Sequence, residues 1–128
     1  MRIAIIGAGA IGGWVGGRLA LAGHEVAMVV RPAGAAAIAG GITITERGGQ
    51  ATAHPEVVTD PAGAGLQDVI IIAVKGPALA AAAAVALPLI GAGTIIVPMM
   101  NGVPWWFVDG EPLASVDPGG RIAALLPV

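Results

Sequence analysis

The chain opens with an apolar run of strand length that leads directly into a spaced set of glycines and then into a segment of helical periodicity. The run ends at Ile6, the glycines are Gly7, Gly9 and Gly12, and the helical pattern extends from Ile11 to Ala22. Gly7 allows a tight turn, Gly9 lets an anion approach the backbone, and Gly12 lets the helix pack close to the strand. The free N–H groups and the positive dipole at the helix start would face that anion. The pattern predicts a dinucleotide phosphate site formed by Gly7, Ala8, Gly9, Ala10, Ile11 and Gly12. In a chain with 21 glycines, the alternative is a turn that binds nothing.

Short apolar runs alternate with helix-like segments along the rest of the chain. Val26–Val30, Asp68–Val74 and Thr94–Val97 have the continuous apolar character of strands buried on both sides. Helical patterns lie between them, which implies parallel strands joined by right-handed crossovers. The composition, 56% hydrophobic and 11% charged, suits elements buried on more than one face. We expect one domain over residues 1–128, a doubly wound α/β fold of the Rossmann type with a mainly parallel sheet and helices on both faces.

Three local features carry further expectations. The alternation at 42–45, followed by a glycine turn and 51–53, predicts a β-hairpin. In the first helix, we expect an apolar stripe and a flat glycine face with four-residue spacing. The stripe would hold Ile11, Val15, Leu19 and Ala22, and the flat face Gly9, Gly13 and Gly17. Trp105 and Trp106 are interpreted as a packing cluster or a domain interface.

Composition excludes several classes of function. The net charge is −2 with no basic cluster, so neither nucleic acid nor an anionic membrane is an expected partner. There is no cysteine, and His24 and His54 lack ligand spacing, so no metal site is expected. The uncharged stretch from Gly76 to Val108 could span a bilayer by length, but prolines and glycines divide it. The apolar N-terminus fits strand, turn and helix better than a signal peptide, and we expect a cytoplasmic protein.

Three polar residues follow predicted strands and should share one edge of the sheet with the glycine turn, because ligands collect where parallel strands end. Arg31 follows the second strand, where no acid occurs from residue 26 to 45, so it suits a ribose 2′-phosphate and predicts NADP(H) over NAD(H). Lys75 could lie near the phosphates or a reacting carbonyl, and Asn101 could hold a ribose hydroxyl or a substrate oxygen. The alternatives are a solvated arginine, a strand-end lysine facing water, and simple Asn-Gly turn chemistry.

Together these residues make the chain resemble the N-terminal domain of the ketopantoate reductase (2-dehydropantoate 2-reductase) family of pantothenate biosynthesis. The resemblance implies an NADP-dependent oxidoreductase that reduces a 2-oxo acid. It also implies that Arg31 binds the 2′-phosphate, that Lys75 lies beside the cofactor, and that Asn101 contacts the nicotinamide side or the substrate. The sequence departs from the family pattern at Ala78 and Pro104. The matching positions are Met1-Arg2-Ile3, Gly7, Gly9-Ala10-Ile11-Gly12, Gly23-His24-Glu25-Val26, Arg31, Val74-Lys75 and Asn101-Gly102.

The resemblance also implies something about what this chain lacks. Members of the family carry a second, helical domain that supplies the catalytic lysine and the groups that hold substrate. We therefore expect no catalytic residue here, with Lys75 and Asn101 as auxiliary substrate contacts, weak NADP(H) binding and no useful reductase activity from this chain alone. The expected partners are a small 2-oxo acid in the full-length protein, and either the missing domain or a second copy bound through Trp105–Phe107 and Arg121–Leu126.

Two other readings stay open from the residues. One is a non-catalytic nucleotide-sensing module with the same sheet and glycine turn. The other is the cofactor domain of a different dehydrogenase of the β-hydroxyacid type.

Overall fold

The computed structural model describes residues 1–108 and 113–126. Within these ranges the strands are β1 (Arg2–Ile6), β2 (Glu25–Val29), β3 (Ile42–Glu46), β4 (Gly49–Ala53), β5 (Glu56–Val58), β6 (Val69–Ile72) and β7 (Ile95–Pro98). Five of them form a parallel sheet in the order β5-β2-β1-β6-β7. The direction of strand addition reverses between β1 and β6, since the chain adds strands first on one side of β1 and then on the other.

Three helices lie in the connections between strands, and a fourth follows β7. They are α1 (Ala10–Leu21), α2 (Pro32–Ile38), α3 (Leu79–Ala86) and α4 (Arg121–Leu125), and single 3₁₀ turns occupy Pro61–Ala64, Gly76–Ala78 and Leu87–Leu89. Pro32 stands at the first position of α2, where a missing N–H costs nothing. In the residues that the structure describes, no helix has the length and apolar character needed to cross a bilayer.

The sheet is covered on both faces, and alternate side chains of each strand enter different clusters. Ile3 and Ile5 of β1 pack with Met28 on the α1 side, whereas Ala4 and Ile6 pack on the α3 side. Each cluster contains fully buried β-branched side chains, as expected for parallel strands. The predicted doubly wound α/β fold is confirmed.

The buried face of α1 differs from the predicted one. Gly12, Gly16 and Gly17 are the buried residues of the helix, whereas Ile11 is 59% exposed. Val15 and Leu19 still pack against the sheet as half-buried side chains. The predicted stripe was wrong at Ile11 and Ala22, and the predicted glycine face was wrong at Gly9 and Gly13. The close contact of Gly12 with the turn instead directs the face that holds Gly12 and Gly16 toward the sheet.

The predicted hairpin is confirmed, and it packs on α1 rather than extending the main sheet. β3 and β4 pair antiparallel, with Ile44 opposite Ala51. A side-chain carbon at Gly17 would lie 2.9 Å from Ile44 Cδ1, so the hairpin rests on bare helix backbone. Arg18 on α1 donates to Glu46 across this contact at 3.1 Å.

The segment after β7 folds back onto α3. Trp105 is 4% exposed, its indole N–H donates to the Leu126 carbonyl oxygen (3.2 Å), and it meets Trp106 edge to face with ring centroids 4.5 Å apart. This confirms the tryptophans as a packing cluster. Ile122 and Leu126 are buried as well, so these members of the segments predicted for self-association pack within the chain. Phe107 remains exposed.

The start of α4 is fixed by a buried carboxylate. Asp117 is 1% exposed, and its side chain accepts from the backbone N–H groups of Ile122 (2.8 Å) and Ala123 (2.9 Å). These are two of the helix-start donors that have no intrahelical partner. The Asp117 carboxylate therefore caps the start of α4 from the preceding turn.

Candidate functional site

The glycine turn after β1 is fixed by contacts that exclude side chains. Gly7 has φ +104°, and a Cβ there would lie 2.7 Å from the Ala73 carbonyl oxygen. A Cβ at Gly12 would overlap the carbonyl oxygen of Gly7. At Gly9, by contrast, a Cβ would meet no protein atom within 4 Å, and the backbone angles, φ −70° and ψ −173°, suit any residue. The fold thus requires glycine at Gly7 and Gly12, while the bare backbone at Gly9 faces open space.

The start of α1 offers backbone donors toward that space. Gly9 is the N-cap and supplies no side-chain acceptor, and the first turn contains no acid. The first helical hydrogen bond runs from the Gly13 N–H to the Gly9 carbonyl oxygen at 2.7 Å. Within residues 1–108 and 113–126, the N–H groups of Ala10, Ile11 and Gly12 donate to no protein acceptor. Such a helix start is suited to an anion.

Parallel register brings the ends of four strands to one edge. Ile6 pairs with Val29 on one side and with Ile72 on the other, and Ile72 pairs with Pro98. Backbone hydrogen bonds continue this alignment by one residue, from Gly7 to Val29 (3.2 Å), from Ala73 to Ile6 (2.9 Å) and from Met99 to Ile72 (2.8 Å). At about 4.8 Å per strand, the edge from β2 to β7 is roughly 14 Å wide.

Each predicted site residue lies at this edge. Arg31 follows β2 by two residues, Lys75 follows β6 by three, and Asn101 follows β7 by three. The glycine turn lies between Arg31 and Lys75, since β1 is between β2 and β6. The structure thus brings the sequence-predicted residues to the reversal point of the sheet, where open α/β sheets bind ligands.

The polar side chains at the edge are exposed. Arg31 is the N-cap of α2, and its carbonyl accepts from Gly34 N–H at 2.8 Å. Lys75 stands likewise before the 3₁₀ turn at Gly76–Ala78. In the part of the chain that the structure describes, neither cation enters an ion pair. Both positive charges face solvent.

Asn101 precedes a glycine in a turn conformation. Gly102 has φ +112°, a region that favours glycine. Asn101 is exposed, and in the described residues its side chain makes no protein hydrogen bond. The turn explains Asn-Gly structurally and leaves the amide available.

Sequence reasoning missed one charged residue at this edge, Asp60. It follows β5, the neighbour of β2, by two residues, and its carboxylate Oδ1 accepts from the Ala62 N–H at 3.2 Å. The sequence Asp60-Pro61 is typical of a loop. The position of Asp60 at this edge depends on the pairing of β5 with β2, and a strand of three residues is too short for that pairing to be predicted from the sequence.

A cavity of about 360 Å³ opens at the opposite edge of the sheet. Both histidines line it, yet no group of three or more metal-ligating side chains is arranged to hold an ion among the described residues. We favour the edge at which the parallel strands end as the functional site. In the described residues, it combines the unbonded N–H groups at the start of α1 with the side chains of Arg31 and Lys75, which form no ion pair. The cavity is lined by Arg2, Ala20, His24, Glu25, Val26, Ala27, His54, Pro55, Glu56, Ala64 and Gln67.

Comparison with known proteins gives a consistent picture. A family model described as ketopantoate reductase PanE/ApbA matches residues 3–105. A 2-dehydropantoate 2-reductase from Mesorhizobium japonicum is 39% identical over 131 aligned residues, which cover 95% of this chain and 40% of that protein. The chain therefore spans well under half of the length of this relative.

Solved structures resemble the fold closely. A protein from Ralstonia solanacearum MolK2 assigned to the ketopantoate reductases has a TM-score of 0.91 and 48% identity, covering 98% of this chain and 41% of that one. A ternary structure of D-mandelate dehydrogenase with NADH and anilino(oxo)acetate has a TM-score of 0.70 and 26% identity, covering 81% of this chain and 35% of that one.

Proposed function

Because this chain belongs to the ketopantoate reductase family, we propose that it is the NADP(H)-binding domain of a reductase that converts ketopantoate to pantoate. The observation that carries the proposal is the combination of a bare Gly9 backbone, unpartnered first-turn N–H groups on α1 and an exposed Arg31 at the same edge. This donor set fits a coenzyme with a pyrophosphate and an additional ribose phosphate.

The proposed roles follow from position along the edge. The N–H groups of Ala10, Ile11 and Gly12 would bind the pyrophosphate, because no Cβ at Gly9 obstructs them. Arg31 would bind the 2′-phosphate through charge-assisted hydrogen bonds. On the other side of the turn, Lys75 would neutralise phosphate charge, and Asn101 would orient the nicotinamide end or a substrate oxygen.

The coenzyme supplies the hydride of such a reaction, whereas the residues of this chain bind and orient it. We propose no catalytic residue in this chain. Since the chain spans 40% of the Mesorhizobium relative, we place the complete reaction in a longer protein with a substrate domain. Boundaries of the domain at residues 1–128, a cytoplasmic location and self-association stay predictions.

Calorimetric titration of the chain with NADPH, NADH and ATP tests the proposal. We expect NADPH to bind with the highest affinity, because only NADPH carries the 2′-phosphate for Arg31. Absence of NADPH binding, or equal affinity for ATP, would contradict the proposal and favour a nucleotide-sensing module. With ketopantoate added, we expect NADPH oxidation to stay below ~1 s⁻¹, under the usual range for enzymes.

A second candidate is the cofactor domain of a different dehydrogenase, one that acts on another hydroxy acid. The likeness to D-mandelate dehydrogenase favours it, since that structure contains NADH and a different oxo acid. Preferred binding of NADH in the same titration would support this candidate over ketopantoate reduction.

A further inference from the structure

Asp60 follows β5 as Arg31 follows β2, and these two strands are neighbours in the sheet. Val29 pairs with Val58, and the Val30 N–H donates to the Val58 carbonyl oxygen at 2.9 Å. Arg31 and Asp60 each follow this pair by two residues. Both keep extended backbones, with φ −66° and ψ 151° at Arg31 and φ −112° and ψ 105° at Asp60. The register therefore brings Arg31 and Asp60 to the ends of neighbouring strands, at the edge of the sheet that also holds the glycine turn.

This arrangement differs from the two common ones. An NAD site has an acid after the second strand to accept from the ribose 2′-OH, and an NADP site has an arginine nearby for the 2′-phosphate. Here the arginine follows β2 and the acid follows the adjacent β5. We propose that Asp60 is a second specificity-determining residue, which opposes Arg31 by repelling the 2′-phosphate of NADP(H). This inference rests on the proposed function.

The local contacts leave Asp60 able to act in this way. Its Oδ1 accepts from the Ala62 N–H, whereas Oδ2 accepts no hydrogen bond from the described residues. Asp60 is exposed, and in those residues no ion pair with Arg31 neutralises its charge. The charges of Arg31 and Asp60 are therefore both accessible to a ligand, because they do not neutralise each other in an ion pair.

Asp60→Asn removes the charge and keeps an amide oxygen that can accept from Ala62. A matched control is Glu56→Gln, which removes the same charge from the other end of β5. Coulomb repulsion between a carboxylate and a doubly charged phosphate at roughly 7–10 Å in water predicts a threefold to tenfold gain in NADPH affinity. NADH, with no 2′-phosphate, should gain nothing.

The experiment titrates four proteins with NADPH and with NADH by calorimetry: the parent chain, Asp60→Asn, Glu56→Gln and Arg31→Gln/Asp60→Asn. The measured quantity is the ratio of the two dissociation constants, and thermal melts check that each variant folds. We expect the ratio to shift toward NADPH by at least about threefold in Asp60→Asn, and less at about 500 mM salt than at about 20 mM. Glu56→Gln should leave the ratio unchanged, and the double variant should bind NADPH and NADH about equally.

An unchanged ratio in Asp60→Asn, or an equal shift in Glu56→Gln, overturns the inference while NADPH binding by the parent chain upholds the proposed function. If the parent chain binds neither nucleotide, the proposed function fails, and the role of Asp60 fails with it.

Discussion

Replacing Gly9 with alanine should abolish nucleotide binding while leaving the fold intact. The backbone at Gly9 is in an ordinary extended conformation, and an added Cβ would touch no protein atom within 4 Å. The methyl group would instead occupy the space above the first turn of α1, where we place the pyrophosphate. A substitution of Gly9 should therefore change nucleotide binding with little change in the stability of the fold.

The expected magnitudes differ widely. Alanine is a poorer N-cap than glycine by about 0.5–1 kcal/mol. It also restricts the unfolded chain, which contributes about 0.4–1 kcal/mol in the opposite direction. The free energy of unfolding should thus change by less than about 1 kcal/mol. Loss of two charge-assisted bonds from first-turn N–H groups, at about 1.5–3 kcal/mol each, should weaken NADPH binding at least about a hundredfold.

Calorimetry with NADPH and urea unfolding followed by circular dichroism measure the two quantities on the same preparation. Gly12→Ala is the contrasting variant, because its Cβ would overlap the Gly7 carbonyl oxygen and should destabilise the fold itself. Near-normal NADPH affinity in Gly9→Ala would refute the proposed position of the pyrophosphate. A large loss of stability in the same variant would refute the geometry of the turn.

Three further changes test other parts of the structure. Gly16→Ala should lower the melting temperature by about 5 °C, since its Cβ would lie 2.5 Å from the buried Met28 Sδ and overpacking by ~1–3 kcal/mol exceeds the gain in helix propensity. Gly13→Ala should raise the melting temperature, because its Cβ would meet its nearest atom only at 3.8 Å. Equal changes in the two variants would contradict the packing of α1. Arg31→Gln should weaken NADPH binding about tenfold to a hundredfold and leave NADH within about threefold by calorimetry, and a parallel loss for both nucleotides would argue against a 2′-phosphate contact. Asp117→Ala should lower the free energy of unfolding in urea by about 2–3 kcal/mol, because two helix-start N–H groups lose their acceptor. Ser115→Ala, at an exposed neighbouring residue, is the control, and equal stabilities of the two variants would rule out the capping role of Asp117.

The order of elements and the location of the site could be predicted from the sequence because local signals coincide there. The glycine spacing fixes a strand, a turn and a helix within the first 22 residues. The continuous apolar runs before Lys75 and Asn101 have the character of parallel strands, whose ends must share an edge. The positions of Arg31, Lys75 and Asn101 thus follow from strand direction alone, without knowledge of packing.

Features that depend on tertiary contacts could not be predicted in this way. Periodicity assigned Ile11 to the buried face of α1, but the contact between Gly12 and Gly7 orients the helix. The neighbouring positions of Asp60 and Arg31 depend on pairing between β2 and β5, whose partners Ala27 and Glu56, and Val29 and Val58, are 29 residues apart in sequence. The burial of Trp105 depends on packing against Ile122 and Leu126, which lie far along the chain from it.

The central position of β1 has a consequence for biosynthesis. Its first partner, β2, emerges soon after it, but its other partner, β6, is far along the chain, as the Arg2-to-Asp68 bond across 66 residues illustrates. At about 5–20 residues per second, synthesis of the intervening residues leaves one edge of β1 unpaired for roughly 3–13 s. The glycine turn gains its neighbour Ala73, which packs against Gly7, only at this later stage. Before that stage, the nascent chain exposes an unpaired strand edge, which makes it prone to aggregation.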